Sequence, residues 1–242
     1  MTDMETTIET RLRKLRMPGM SACWQTWAET RQTSQLSLED GMQLLLQAEE
    51  DTRRANRNAR LVHNARFRYP ACLEELTFDS QRGLERQQLM QLATCAYIND
   101  GQPVFITGPA GTGKSWVATA LGRQACMLGH KVRYFGTLKL FEHIALARAT
   151  ASVHRCFDQL AATDLIILDD FGLQRLDSQQ MLDFMELVED RHGRKSTIIV
   201  SQLPVSDWYE ILSANTTAAD AILDRLVHSA NRITLKGGSL RK

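Results

Sequence analysis

The sequence predicts an α/β fold in which a five-stranded parallel sheet carries helices on both faces, with a small helical region ahead of it. Three observations lead there. From about residue 76 onward, five short apolar runs, PVFIT, KVRYF, LIILDD, TIIVSQ and RITL, alternate with long amphipathic stretches. Parallel strands need crossover connections of a dozen or more residues, and such stretches supply them as helices. The first apolar run leads directly into GPAGTGKS, after which a helical pattern begins. Up to about Phe67, by contrast, the chain is polar and arginine-rich, with glycine only at Gly19 and Gly41 and proline only at Pro18.

In the helical region, SLEDGMQLLLQAEED offers Ser37 as an N-cap with Asp40 three residues on. Leu38, Met42 and Leu45 then recur at helical spacing, so one face of that helix is expected to be buried. RYPACLEELTF, Arg68 to Phe78, reads as a connector. Pro70 cannot continue a helix, and it pushes Tyr69 toward extended geometry. The boundary is placed at about 75, giving a helical domain over 1–75 and an α/β domain over 76–242.

The first strand and its turn carry the chemistry. Gly108, Pro109, Ala110, Gly111, Thr112, Gly113, Lys114 and Ser115 fit GxxxxGK[ST] at every fixed position, between a strand and a helix. Glycines there let backbone N–H groups wrap a phosphate at the positive end of a helix. Lys114 is then expected on the β- and γ-phosphates of ATP and Ser115 on Mg²⁺. The third strand ends in Asp169 and Asp170. Asp169 stands where a P-loop protein holds its metal, and Asp170 is the candidate base for a water attacking the γ-phosphate. Neighbouring side chains on an extended strand point to opposite faces, so local geometry must re-aim one of the two. The fourth strand ends in Ser201 and Gln202. In P-loop ATPases with strand order 5-1-4-3-2 this strand lies between the first and third, which points Gln202 at the γ-phosphate or the attacking water.

Composition narrows the rest. At 242 residues and 43% hydrophobic content the chain is long enough for a packed core. No apolar stretch reaches the roughly 20 residues that span a bilayer, and the opening MTDMETTIETRLRKLRM lacks the apolar centre of a secretory signal, so a cytoplasmic protein is expected. The five cysteines are scattered and follow no metal-ligand spacing; reduced thiols, mostly in the core, are expected. A net charge of +1 exerts no overall pull on nucleic acid, so any binding must come from local patches. Thr52 to Arg68 is such a patch. It holds Arg53, Arg54, Arg57, Arg60, Arg66 and Arg68 with no acid among them, and Arg53, Arg57 and Arg60 share a helix face. A second cluster is Arg11, Arg13, Lys14 and Arg16. Either a grip on DNA phosphates or a solvated face paired with Glu49, Glu50 and Asp51 accounts for the first patch.

The pieces GPAGTGKS, IILDDFGL, SQLPVSDWYEIL and ADAILDRLVHSANRITLKGGSLRK, together with SLEDGMQLLLQAEE and RFRYPACLEELTF near the start, span essentially the whole chain. In these the sequence resembles the IstB-like transposition helper ATPases, relatives of the bacterial helicase loaders within the AAA+ superfamily. The resemblance implies an AAA+ core of strand order 5-1-4-3-2; the helical lid domain that most AAA+ proteins add is not expected here, since only KGGSLRK follows the fifth strand in this sequence. It implies Mg²⁺-dependent hydrolysis of ATP, non-sequence-specific binding of double-stranded DNA through the helical region, assembly into a homo-oligomer with ATP and DNA, and recruitment or stimulation of a separate transposase. It further implies that Arg225 is an arginine finger reaching a neighbouring subunit's nucleotide, and that Arg241 is a nucleotide-contacting residue in the tail. Many AAA+ proteins carry Asp-Glu where this chain has Asp169 and Asp170, whereas Asp-Asp is ordinary among the IstB-like proteins. The alternatives are a helicase loader on single-stranded DNA, a monomeric P-loop kinase with no use for Arg225 in trans, and an interaction protein that holds ATP without turnover. No acid triad or nucleophile–base pair of a nuclease or transposase is visible.

Overall fold

The computed structural model describes residues 3–30, 36–78 and 80–240. Its contacts divide the chain into two compact units, Met1–Arg60 and Leu61–Lys242.

The first unit is helical: α1 (Asp3–Lys14), α2 (Pro18–Thr30) and the greater part of α3 (Leu38–Ala65). Ser37 caps α3 as the sequence suggests, its Oγ accepting from the Asp40 amide at 3.1 Å. The helices α2 and α3 meet at Gly19, where an added Cβ would stand 2.3 Å from the Ala48 carbonyl oxygen. Glu49 is buried at this crossing and accepts from the amides of Gly19 at 2.8 Å and Met20 at 3.1 Å, satisfying first-turn donors of α2. Burial pushes the Glu49 carboxyl up, but the bonds from Arg53 and these two amides outweigh it and hold the group below its usual range. Of the stripe expected to be buried, Leu45 is half-buried but its first two residues are open. Leu38 is 85% exposed and Met42 48%, because α2 packs on the side of α3 that carries Ala48 and Glu49.

The second unit begins earlier than the connector read from Pro70, for a packing reason. Leu61, Val62, Ala65 and Phe67 already belong to one of the two cores that flank the sheet. After a 3-10 turn at Leu73–Glu75 come α4 (Arg86–Ala93), α5 (Ala96–Asn99), β1 (Val104–Thr107), α6 (Lys114–Met127), β2 (Val132–Gly136), α7 (Thr137–Ala149), α8 (Val153–Ala161), β3 (Leu165–Phe171), α9 (Ser178–Arg191), β4 (Ser196–Ser201), α10 (Trp208–Ile211), α11 (Thr216–Val227) and β5 (Asn231–Thr234). The five strands pair in parallel in the order β2-β3-β4-β1-β5, which read from the other edge is 5-1-4-3-2.

The period-2 alternation of the strands builds a core on each face. Val104, Ile106, Leu165, Ile167, Ile198 and Val200 pack with α4 and α6 through Leu89, Val117 and Leu121. Their neighbours Phe105, Ile166, Leu168 and Ile199 pack with α7 to α9 and α11 through Leu140, Phe157, Phe184 and Ile222. Cys95, Cys126 and Cys156 are buried, and burial pushes the first two thiols up to about 11 and about 12. No helix among the described residues is long and apolar enough to cross a membrane.

Candidate nucleotide site

β1 stops at Thr107, and the chain turns through Gly108–Gly113 into α6, so the loop sits at the carboxyl edge of the sheet between its central strands and the helix N-terminus. Gly108, Gly111 and Gly113 have φ of 142°, 79° and 93°, values that side-chain-bearing residues rarely adopt. Space excludes a side chain as well. A Cβ on Gly108 would lie 2.2 Å from the Leu235 carbonyl oxygen, and one on Gly111 2.2 Å from Ser239 Oγ. The segment after β5 therefore runs along the loop, with Leu235 N donating to Thr107 O and Leu240 N to Gly111 O, both at 2.8 Å. Arg82 ties that segment down, its Nη2 donating to Gly238 O at 2.6 Å. Arg241, one residue further on, lies outside the described residues.

Pro109 and Ala110 are exposed, while Thr112 and Lys114 are buried. Thr112 Oγ1 and Lys114 Nζ both donate to the Pro109 carbonyl, at 2.9 and 2.7 Å, which holds the ammonium inside the loop. Ser115, one residue into α6, donates to Asp169 Oδ1 at 2.9 Å. Asp169 is 1% exposed and is held from three further sides. The Tyr134 hydroxyl donates to its Oδ2, the Asp170 amide donates to its Oδ1 at 2.9 Å, and Thr137 Oγ1 donates to its carbonyl at 2.8 Å. Burial, reinforced by the Asp169 charge, pushes the Tyr134 hydroxyl well up, so it stays a proton donor.

The two acids are separated by a break in the strand. Leu168 pairs with Ile199 and Phe171 with Ser201, so three steps on β3 match two on β4, and Asp169–Asp170 contains the extra residue. Asp170 takes φ of 59°, a left-handed conformation tolerated by Asp and Asn better than by most residues. This bulge sends Asp169 inward to Ser115 and leaves the Asp170 side chain 39% exposed. Burial raises the Asp170 carboxyl above its usual range and Asp169 adds to this, while Arg68 and Lys114 oppose it.

Gln202 follows β4 and is exposed at the level of the loop, since Ser201 pairs with Thr107. Ser201 itself is structural: its Oγ donates to Phe171 O at 2.8 Å and accepts from Leu203 N at 3.1 Å, fastening the ends of β3 and β4. Arg225 is not at this site. It borders Gly101 and Pro103, which lead into β1 from the end opposite Gly108. There it pairs with Glu189 at 2.6 Å and donates to Ala221 O at 3.0 Å. Of the arginines on α3, Arg53 bonds Glu49 at 2.7 Å and Arg54 bonds Asp51 at 2.5 Å, whereas Arg57 and Arg60 are exposed with no ion pair among the described residues. Tyr134, Thr137 and Arg68 were not read from the sequence as parts of the site. The only trace of Tyr134 is its place near the end of the second strand, where it pairs with Ile167, two residues before Asp169, and that alignment depends on register.

The site chemistry fits nucleotide and magnesium. Glycine-only backbone beside a buried lysine suits phosphate, and a hydroxyl 2.9 Å from a carboxylate supplies hard oxygen donors. Among the described residues no cluster of three or more His, Cys, Asp or Glu forms a dedicated metal cage. Mg²⁺ does not need one, since it is commonly bound through one or two carboxylates together with substrate phosphates.

A parallel sheet of order 5-1-4-3-2, with this loop after β1 and this acid at the end of β3, defines a P-loop ATP-binding protein of AAA+ type. The chain belongs to the IstB-like ATP binding protein family, which matches residues 10–242. It is 42% identical over 232 residues to the insertion sequence ATP-binding protein y4pL of Sinorhizobium fredii, covering 96% of this chain and 94% of that one. It is 28% identical over 234 residues to the insertion sequence IS21 ATP-binding protein of Pseudomonas aeruginosa, covering 97% and 88%. Among solved structures, the DnaC helicase loader superposes with a TM-score of 0.58 at 18% identity, covering 69% of this chain and 98% of that one. AMPPCP-bound DnaA from Aquifex aeolicus superposes with a TM-score of 0.58 at 15% identity, covering 71% and 51%. At these identities the two structures are alike in fold.

Proposed function

We propose that this chain is a Mg²⁺-dependent ATPase that assembles on double-stranded DNA and recruits or stimulates a transposase during movement of an insertion sequence. The observation that carries the hydrolysis reading is the bulge at Asp169–Asp170, which pairs one acid with Ser115 and turns the other outward beside the loop. The tie to an insertion sequence rests on relatives that cover nearly the whole chain and carry that description in their names. A helicase-loader role draws on likeness of fold alone.

In this reading Gly108 to Gly113 bind the phosphates through backbone N–H groups, and Lys114 leaves the Pro109 carbonyl for the β- and γ-phosphate oxygens. Ser115 and Asp169 hold Mg²⁺, which when bound neutralises charge on those phosphates. Asp170 orients a water and accepts its proton as it attacks the γ-phosphorus, with Gln202 hydrogen-bonding the water or phosphate; ADP and phosphate leave. Arg241 contacts the nucleotide from the tail. Arg225 acts in trans, a role its distance from the chain's own loop supports. The helical unit up to Arg60 binds DNA and supports assembly, and the unit from Leu61 onward is the ATPase. Arg57 and Arg60 are the strongest phosphate contacts of the four α3 arginines. Arg53 and Arg54 must first give up Glu49 and Asp51.

Size-exclusion chromatography of the full chain tests the reading as a whole: with ATP and duplex DNA together it elutes as a large assembly, and elution as a monomer under every condition sinks the proposal. Arg225→Ala, expected to be inactive alone, regains turnover when mixed with a Lys114→Ala subunit whose arginine is intact. No recovery in the mixture argues against action in trans.

A further inference from the structure

We infer that the segment Phe67–Pro70 is a latch on the nucleotide site, in which Arg68 is a positioning residue that holds the Asp170 carboxylate away from the attacking water. This rests on the hydrolysis reading above and adds a restraint to it. Three successive side chains of the segment touch the site's own parts. The Phe67 ring lies edge-on to Tyr134, with centroids 6.4 Å apart, and Tyr134 is the donor to Asp169. Arg68 Nη1 lies 3.4 Å from Asp170 Oδ2. Tyr69 packs on Trp116, with centroids 5.8 Å apart, and Trp116 directly follows Ser115. The segment is seated in two further places. A Cβ on Gly122 of α6 would come within 2.8 Å of the Phe67 ring, and Arg123 Nη1 donates to Pro70 O at 3.4 Å.

The strengths of these contacts suit a latch that opens. Phe67 is half-buried and anchored, whereas the Arg68–Asp170 pair is partly solvated, its side chains 58% and 39% exposed. Exposed pairs of this kind contribute little and exchange readily with water. Pairing still matters to chemistry. A carboxylate oxygen that already accepts from a guanidinium is engaged by the arginine and not free to take the proton of a water.

Two measurements on the full chain test this. In ATPase assays without DNA, Arg68→Ala raises kcat about five-fold with KM for ATP unchanged, the factor an exposed ion pair near the top of its range is worth. Arg68→Lys, which keeps the charge, stays near wild type. In the absence of nucleotide, tryptic cleavage after Arg66 quickens about five-fold in Arg68→Ala and in Asp170→Asn, each of which removes one partner of the pair, and is unchanged in Arg68→Lys. Turnover by Arg68→Ala at or below that of an active wild type overturns the inference, as does cleavage after Arg66 at the wild-type rate in both variants. A wild type that binds ATP and never turns it over overturns the hydrolysis reading instead, and the cleavage rates then report on the latch alone.

Discussion

Lys114→Ala weakens ATP binding by about a hundredfold, read as the Kd in a titration with a fluorescent ATP analogue. The size follows from charge and burial. The ammonium is held inside the loop by Pro109 O at 2.7 Å, so it meets the phosphates without first crossing solvent. Charge-assisted hydrogen bonds contribute about 1.5–3 kcal/mol each, and the upper end of that range corresponds to roughly two decades in Kd. The variant is expected to fold. Lys114 opens α6, alanine is the strongest helix former, and Thr112 still closes the loop onto Pro109. Unchanged affinity removes the loop as the nucleotide site.

Asp170→Asn gives the opposite pattern, with ATP affinity near wild type and kcat down by about 100-fold or more, the range for losing a general base. Asparagine isolates the chemistry, because position 170 sits at φ of 59° and asparagine is among the few residues that accept it. Alanine there adds backbone strain to the loss of the carboxylate. Burial together with Asp169 raises the Asp170 carboxyl, which makes it a better proton acceptor than a free aspartate. Phosphate release in a single turnover separates this step from product release. Wild-type release by the variant takes Asp170 out of the mechanism. Asp169 behaves differently, since its oxygens are tied to Ser115, Tyr134 and the Asp170 amide, so its replacement disturbs the fold of the site along with magnesium.

The two acids also mark where reading the sequence stops. The inner strands β1, β3 and β4 were legible because parallel strands buried on both faces read as apolar runs, as LIIL in β3 does, whereas the partly exposed edge strands β2 and β5 were legible from their place in the alternation with helices. The loop was legible because its glycines and lysine have fixed spacing and a fixed context. Roles for Arg225 and Arg241 came through resemblance, since an arginine on an amphipathic helix or in a tail carries no local signal of its own. The open stripe at Leu38 and Met42 defeated a helical-periodicity argument, because periodicity tells that a helix has an apolar face and not which neighbour covers it.

By itself, then, the sequence determined the class of sheet, the phosphate loop and the presence of two acids at a strand end, all of which depend on residues close together in the chain. Only the tertiary structure decided which acid faces inward. That outcome depends on the register of β3 against β4, where one extra residue at Asp169–Asp170 breaks the alternation. It likewise decided that Tyr134 and Ser115 hold Asp169, that Arg225 stands at the far end of β1, and that Arg68 reaches Asp170 across 102 positions of sequence. Such contacts are set by strand pairing and by helices crossing over the sheet. No local pattern of residue types records them.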